Sequence, residues 1–266
     1  MGGRKLGKVC GMNLQMPLSL AAGYKSRCQQ ARVVSEGWGA KELFCANCDS
    51  SALSQLAINY KCADLICPKC NAPFQLKATS GSIAHTIADG AYGTMVSAIR
   101  ADRTPNLLLL RYDKASWCVR DLLLIPHFAF PESAIIKRKP LCDTARRAGW
   151  VGCNISLDRI APDARISMVI EGSSRPASRV REDYRKLKPL RGIGTSERGW
   201  TLEVLNAVRK LGKAEFTTHD AYSFDNDLQK LHPGNRNVRP KIRQRLQVLR
   251  DAGILLHLGR NLWRLV

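Results

Sequence analysis

The chain has 266 residues, 45% hydrophobic and 24% charged, which is typical of a globular protein and long enough for two domains. Its 42 Lys and Arg residues outnumber 22 Asp and Glu residues, so the formal net charge of +20 indicates a polyanionic partner, nucleic acid before an anionic membrane surface. No apolar run reaches the roughly 18 residues of a membrane helix. Asn13, Gln15 and Pro17 interrupt the apolar stretch near the start, which argues against a signal peptide. We therefore expect a cytoplasmic protein that does not bind membranes.

The first two thirds of the chain predict an α/β fold. Residues 1–23 have the composition of a loose extension, and the apolar spacing then predicts helices over 24–38 and 82–99. Strands are predicted by alternation at 74–77 and by apolar runs at 107–112 and 122–125. Strands separated by a helix favour an α/β core. The Pro-, Ser- and Arg-rich residues 175–194 are predicted to be a basic linker or a surface segment.

Four of the ten cysteines form two closely spaced pairs. Cys45 and Cys48 make the first pair, Cys67 and Cys70 the second, and 18 residues separate the pairs. A two-residue gap lets each pair bind one metal ion from a tight turn, and four thiolates complete a tetrahedral zinc shell with no place for water. The spacing therefore predicts a structural Zn²⁺ site. The alternatives are four unrelated cytosolic thiols or one redox-active pair.

Polar residues on either side of the second cysteine pair suggest metal-dependent phosphodiester hydrolysis. Asp64 precedes the pair, and Gln75 and Lys77 follow it on one face of the predicted strand. Asp64 and Gln75 offer oxygen ligands for Mg²⁺, and the Lys77 ammonium can position a water molecule and offset the charge of a phosphate. Taken alone, a Gln-x-Lys strand is more often a solvated face of a sheet.

The last seventy residues predict a winged helix. Apolar residues at helical spacing indicate three helices, over 201–211, 218–231 (with Thr218 as the cap) and from 240 to 253. Two short strands, 254–258 and 262–265, follow and are joined by a Gly-containing turn. Three helices closed by a hairpin is the order of a winged-helix domain, a variant of the helix-turn-helix.

The third of these helices has the composition of a DNA-recognition helix. Residues 235–250 contain six basic residues and no acidic one. The apolar stripe predicts an outward face with these side chains: Lys241, Arg243, Gln244, Arg245 and Gln247. Arg pairs well with guanine edges and Gln with adenine edges in the major groove. A solvated face that makes only phosphate contacts is the alternative.

Several short motifs, in order along about residues 20–266, resemble the DpnI-type restriction endonucleases. They include Tyr-Lys-Ser at 24–26, Asp-Gly-Ala-Tyr at 89–92, Ala-Arg-Arg-Ala-Gly-Trp at 145–150, Gly-Cys-Asn at 152–154 and Arg-Gly-Trp-Thr at 198–201. The resemblance implies a PD-(D/E)xK nuclease core with a zinc-binding insertion, followed by a winged helix. It also implies Mg²⁺-dependent cleavage of double-stranded DNA at GATC sites with N6-methylated adenine, with both domains reading the site.

The resemblance assigns roles to particular residues. Asp64, Gln75 and Lys77 fall on the three catalytic positions, and the four paired cysteines fall on the zinc ligands. Trp150, which follows Arg146 and Arg147, matches an intercalating or methyl-contacting position. Trp200 and Trp263, in contrast, are predicted to be core residues.

One departure from the family pattern bears on activity. The motif has Glu where this chain has Gln75, whose neutral amide oxygen still binds Mg²⁺ but removes one formal charge. We expect a monomeric nuclease with domains at 24–174 and 195–266. The alternatives are a non-catalytic zinc and winged-helix DNA-binding regulator and, third, an RNA-binding zinc-ribbon protein.

Overall fold

The computed structural model describes residues 11–57 and 62–266, which form two compact units. The first unit comprises the described residues up to Ser82 together with Leu108–Leu123 and Ser167–Arg181. The second comprises Ile83–Leu107, Leu124–Ile166 and Glu182–Val266. Within the described residues, no helix is long and apolar enough to cross a membrane.

The first unit contains helix α1 (Arg27–Glu42) and most residues of a seven-stranded sheet. The strand order is β1-β2-β3-β5-β6-β9-β10. Their bounds are β1 Ser54–Gln55, β2 Leu65–Ile66, β3 Pro73–Thr79, β5 Asn106–Tyr112, β6 Val119–Ile125, β9 Ile166–Ile170 and β10 Ser173–Ser174. The α/β class predicted from the sequence is confirmed, since the strands predicted at 74–77, 107–112 and 122–125 lie within β3, β5 and β6.

The position of β3 in the sheet follows from its alternating sequence. Phe74 and Leu76 are buried, while Gln75 and Lys77 lie on the opposite face and are only partly buried. Helix α1 packs against β1, β2 and β3. Its buried side chains include Val34 and Trp38, which come from the apolar spacing that predicted the helix. Burial of large apolar side chains, each stabilising by about 1.5–3 kcal/mol, holds the helix on the sheet.

Residues 11–23 are packed into the first unit, which corrects the expectation of a loose extension for this part. The backbone N–H of Met16 donates to the carbonyl oxygen of Trp117 (3.0 Å), and the indole N–H of Trp38 donates to the carbonyl oxygen of Asn13 (2.7 Å). Met16 is buried. Non-local pairing of this kind leaves no periodic signal in the segment itself. Residues 1–10 lie outside the described residues.

The second unit contains a three-stranded antiparallel sheet in the order β4-β8-β7 and the helix α2. Their bounds are β4 Thr86–Ala91, α2 Tyr92–Arg100, β7 Ile135–Lys137 and β8 Gly152–Ser156. The single helix predicted over 82–99 is therefore wrong for its first half. Pairing of β4 with the distant β8 outweighs local helix propensity there, as tertiary context often does.

A winged helix completes the second unit, as predicted. Helices α4 (Thr195–Lys210), α5 (Thr218–Tyr222), α6 (Asp225–Leu231) and α7 (Val238–Asp251) accompany a sheet in the order β11-β13-β12. These strands are β11 Glu215–Thr217, β12 Leu255–Gly259 and β13 Leu262–Leu265. The helix predicted over 218–231 is two short helices, and its cap is Thr217 rather than Thr218. Thr217 and Asp220 form a reciprocal capping box.

The segment predicted as a basic linker contains the helix α3 (Ala177–Leu187). Val180, Tyr184 and Leu187 are buried, and the Tyr184 hydroxyl donates to the side-chain oxygen of Asn106 (3.1 Å). The spacing of these three apolar residues is helical, but the surrounding Arg, Pro and Ser residues obscured it. The predicted domain limits at 24–174 and 195–266 remain a prediction.

Candidate functional site

The β2–β3 hairpin brings Asp64, Gln75 and Lys77 together. Asp64 directly precedes β2, and its N–H donates to the carbonyl oxygen of Phe74 (2.9 Å). Leu65 also pairs with Phe74, so Asp64 and Leu65 both lie opposite Phe74, the residue before Gln75. The Asp64 carboxylate accepts a hydrogen bond from the N–H of Leu76 (2.8 Å). It therefore lies against β3 at the residue between Gln75 and Lys77.

Glu36 is an acidic residue of this region that the sequence analysis missed. It lies on α1, is only 7% exposed, and binds Arg32 Nε (2.9 Å) and Gln55 Nε2 (3.3 Å). Burial and then the negative charge of Asp64 raise the pKa of Glu36, whereas Arg32 and Gln55 lower it. In the sequence, Glu36 is recognisable only as an acidic residue among the apolar positions of α1. The spacing of residues within α1 does not show that it lies near Asp64.

The two cysteine pairs converge on one point in the first unit. The Sγ atoms of Cys45, Cys48, Cys67 and Cys70 all lie within 4.8 Å of one another, and this cluster could hold a metal ion such as zinc. Cys45 Sγ is 3.7 Å from Cys70 Sγ, and Cys48 Sγ is 3.5 Å from Cys67 Sγ. Four soft thiolate donors at this separation are the ligand set of a structural zinc site.

Local hydrogen bonds prepare the cluster for an anionic ligand set. Burial by itself raises the pKa of Cys67, but the backbone N–H groups of Cys70 and Lys69, together with the neighbouring thiols, lower it to about 6. Burial raises the pKa of Cys45. A metal ion bound by all four thiols would have to displace the remaining protons, which makes metal binding pH-dependent.

The cysteine cluster lies at the turn of the hairpin that carries the candidate catalytic residues. Cys67 and Cys70 stand between β2 and β3, and Asn71 in the turn has a left-handed backbone (φ 56°). Arg181 of α3 fixes the other pair, because its guanidinium donates to the carbonyl oxygens of Cys45 (3.0 Å) and Ser50 (2.8 Å). The turn between β2 and β3, which determines the position of Asp64 relative to β3, thus contains two of the four clustered thiols.

In the second unit, Trp150 lies at the base of an exposed basic loop. Arg146 and Arg147 are exposed in this loop, and the Arg147 guanidinium lies 4.5 Å from the centroid of the Trp150 ring. The Trp150 carbonyl oxygen accepts from the N–H of Leu141 (2.9 Å). A Cβ added at Gly152 would stand 2.8 Å from the Trp150 ring, so the ring occupies the space that the glycine leaves. This loop presents one partly buried aromatic side chain among positive charges.

Helix α7 presents most of the predicted recognition face to solvent. Arg243, Gln244 and Gln247 are exposed and Lys241 is partly buried, as the apolar stripe predicted.

Arg245 corrects that prediction, because its side chain is fully buried. Its Nη2 donates to Gln244 Oε1 (2.8 Å) and Glu197 Oε1 (3.2 Å), whereas Nε and Nη1 have no partner among the described residues. The Arg245 side chain thus contacts α4 through Glu197.

Helix α4 contacts earlier segments of the same unit through polar side chains that the sequence analysis did not identify. Arg198, only 4% exposed, pairs with Asp102, and Arg209 pairs with Asp163 through two hydrogen bonds. Trp200 stacks on His232 with ring centroids 3.8 Å apart. Trp200 and Trp263 are buried, which confirms their prediction as core residues.

Two protein-family models match this chain. A model described as DpnI, the Dam-replacing family, matches residues 12–193. A second, described as DpnI_C, the Dam-replacing HTH domain, matches residues 196–264. The first match alone covers more than half of the chain, and the second covers the winged helix.

Proposed function

Because the chain belongs to the DpnI-type Dam-replacing family, we propose that it is a Mg²⁺-dependent endonuclease that cleaves double-stranded DNA at GATC sites with N6-methylated adenine. The observation that carries the proposal is the hairpin on which Asp64, Gln75 and Lys77 lie together, in a chain of this family. The charge of +20 and the basic face of α7 suit a DNA substrate.

The three residues have complementary roles in the proposed reaction. The Asp64 carboxylate, oriented by the Leu76 N–H, and the Gln75 amide oxygen would hold Mg²⁺, for which oxygen ligands are preferred. When bound, Mg²⁺ supplies Lewis acidity and lowers the pKa of a coordinated water. The Lys77 ammonium donates hydrogen bonds to the attacking water and to a non-bridging phosphate oxygen, and it offsets negative charge that develops on the phosphate.

Zn²⁺ has a structural role in this proposal. It would bind Cys45, Cys48, Cys67 and Cys70, a closed shell that leaves no position for a reacting water. By closing the turn between β2 and β3, it would hold the Asp64 carboxylate against β3 at Leu76.

Two surfaces would read the methylated site. The exposed Arg243, Gln244 and Gln247 of α7 suit base edges in the major groove, and Lys241 suits the backbone. Trp150, with Arg146 and Arg147, would contact the N6-methyl group from the nuclease domain. One buried methyl contributes about 0.8 kcal/mol, or roughly fourfold. Two methyls read by two domains would then give roughly 250-fold discrimination.

Gln75 favours one competing function, a non-catalytic reader of methylated DNA. Both functions predict binding, so cleavage separates them. Plasmid DNA from adenine-methylating and non-methylating hosts is incubated with the protein across a Mg²⁺ series, and we expect cutting of the methylated plasmid only. Lys77→Ala should abolish cutting and leave binding largely intact, whereas the control Lys114→Ala, at an exposed turn position, should cut normally. If wild type leaves methylated plasmid intact and Gln75→Glu cuts it, the chain is a reader.

A further inference from the structure

A fully buried arginine of helix α7 is bonded to the exposed glutamine that precedes it. Arg245 Nη2 donates to Gln244 Oε1 (2.8 Å) and to Glu197 Oε1 of α4 (3.2 Å). The hydrogen bond from Arg245 lowers the pKa of the Glu197 carboxyl, so the carboxylate stays charged and holds the guanidinium. Neighbouring side chains on a helix point in different directions, so the contact with Gln244 does not follow from helix geometry. It requires the Gln244 side chain to turn towards Arg245.

This contact determines which end of the Gln244 amide can bind another molecule. An arginine side chain has donors only, so the amide atom that contacts it is the oxygen, whichever way the amide is built. The oxygen and the nitrogen leave the amide carbon in different directions. Because the oxygen is directed at the buried guanidinium, the nitrogen is the atom left to face solvent. Gln244 therefore presents hydrogen-bond donors on the side of α7 that also exposes Arg243 and Gln247.

Stability of the winged helix does not account for an arginine at position 245. Its Nε and Nη1 atoms are buried and have no partner among the described residues. Buried N–H groups without acceptors destabilise a folded protein, and a buried ion pair is weak evidence for stability. The neighbouring buried positions of α7 carry aliphatic side chains, Ile242, Leu246 and Leu249. What the arginine provides and an aliphatic side chain would not is the hydrogen bond to Gln244.

Methylation at N6 removes one group from the major-groove edge of adenine. This edge presents the N7 acceptor and an N6–H donor. The methyl group replaces that hydrogen, while the other N6–H stays paired with thymine. A glutamine with both ends of its amide free binds N7 and N6–H together, so it prefers unmethylated adenine. On the methylated base its oxygen would meet the methyl group instead of a donor, which is costly for an acceptor that has lost its water.

We propose that Arg245 is a positioning residue that makes Gln244 a donor-only reader of adenine. This inference rests on the proposed reading of methylated GATC sites. Arg245 occupies Gln244 Oε1, so only the amide NH₂ group remains for adenine N7, an acceptor that methylation leaves in place. The contact thereby removes the preference of a free glutamine for unmethylated adenine. Burial of the methyl group by other side chains then decides between the two substrates.

The test compares binding of methylated and unmethylated GATC duplexes by fluorescence anisotropy. All variants are made in full-length, zinc-loaded protein with the additional Lys77→Ala substitution, so that the DNA stays intact. Arg245→Met frees Gln244 Oε1. We expect the ratio of the Kd for unmethylated DNA to the Kd for methylated DNA to fall at least about fivefold, the lower end of the discrimination by one bidentate contact. Leu246→Met, a conservative change at the next buried position of α7, is the control and should leave the ratio unchanged.

Gln244→Ala shows whether Arg245 acts through Gln244. By itself, this change should weaken binding of both duplexes equally. In Gln244→Ala protein, Arg245→Met should no longer change the ratio of Kd values. In Gln247→Ala protein, which lacks the other exposed glutamine of this side, it should still lower the ratio at least about fivefold. A merely structural role of Arg245 would lower the ratio in both backgrounds, which overturns the inference. An unchanged ratio in folded Arg245→Met with Gln244 present also overturns it.

Thermal unfolding of each variant shows whether it is folded. If Arg245→Met does not fold, the contact with N7 gives the answer. A methylated duplex whose adenines carry C–H in place of N7 should bind the Lys77→Ala parent at least about fivefold more weakly, and Gln244→Ala protein with unchanged affinity. Equal weakening of the two proteins overturns the inference. Failure of the proposed function is distinguishable, because a parent with equal Kd values for methylated and unmethylated DNA contradicts methyl reading itself, and the inference with it.

Discussion

The contact between Gly152 and Trp150 offers a test of the proposal that Trp150 reads the methyl group. A Cβ at position 152 would stand 2.8 Å from two carbon atoms of the Trp150 ring. Carbon atoms prefer separations of about 3.5–4.0 Å, so Gly152→Ala must displace the indole by at least ~0.7 Å. The ring is only partly buried and the surrounding loop is exposed, so it can move without unfolding the second unit.

The expected size of the effect follows from burial of a methyl group. If the displaced ring no longer buries the N6-methyl groups, each of the two methyls of the palindrome loses about 0.8 kcal/mol, or roughly fourfold. The ratio of Kd values for unmethylated and methylated DNA should therefore fall by about 16-fold, which leaves the discrimination by the winged helix.

Fluorescence anisotropy with methylated and unmethylated GATC duplexes measures this ratio. The measurements are made in the Lys77→Ala background so that the DNA remains intact. Gly93→Ala is the matched control, because a Cβ there meets nothing within 4 Å and Gly93 belongs to the same unit. Equal methyl discrimination by the Gly152→Ala and Gly93→Ala proteins, with both folded, would refute the assignment of Trp150 to the methyl group.

Three further predictions concern stability. Cys67→Ser should remove bound zinc and unfold the β2–β3 hairpin, and metal analysis with circular dichroism checks this; zinc-free but fully active wild type would contradict it. Arg245→Met should raise the free energy of unfolding by about 1–2 kcal/mol, because it removes two buried nitrogen atoms, Nε and Nη1, that have no partner among the described residues. The exposed Arg243→Met should change the free energy of unfolding little, and denaturant unfolding measures both. Burial lowers the pKa of His127 to about 4 in the folded protein, below the value of about 6.5 in an unfolded chain. Below about pH 6.5 the unfolded state therefore binds a proton that the folded state does not, so the free energy of unfolding should decrease as the pH falls from about 6.5 to about 4. His127→Gln should flatten this part of the pH profile of thermal unfolding.

Local patterns in the sequence were sufficient for the elements whose signals are short-range. The two-residue gaps of the cysteine pairs predicted the cluster of four thiols that the structure forms. A two-residue gap in a tight turn brings the two Sγ atoms of a pair together, so this feature depends only on local sequence. The apolar stripes of α4 and α7 predicted a winged helix because a helix face is determined by spacing alone. The alternation through Gln75 and Lys77 likewise predicted their common face on β3.

Tertiary structure decided the features that depend on partners distant in the chain. Residues 86–91 form a strand because β8, some sixty residues later, pairs with them, and no local pattern carries that information. Arg245 is buried because α4 covers that side of α7, although Gln244 and Gln247 of the same helix are exposed. The charge of Asp64 helps to raise the pKa of Glu36 because α1 packs on β2 and β3. Spacing along a chain specifies which side chains share an element, whereas packing between elements determines which side chains share a site.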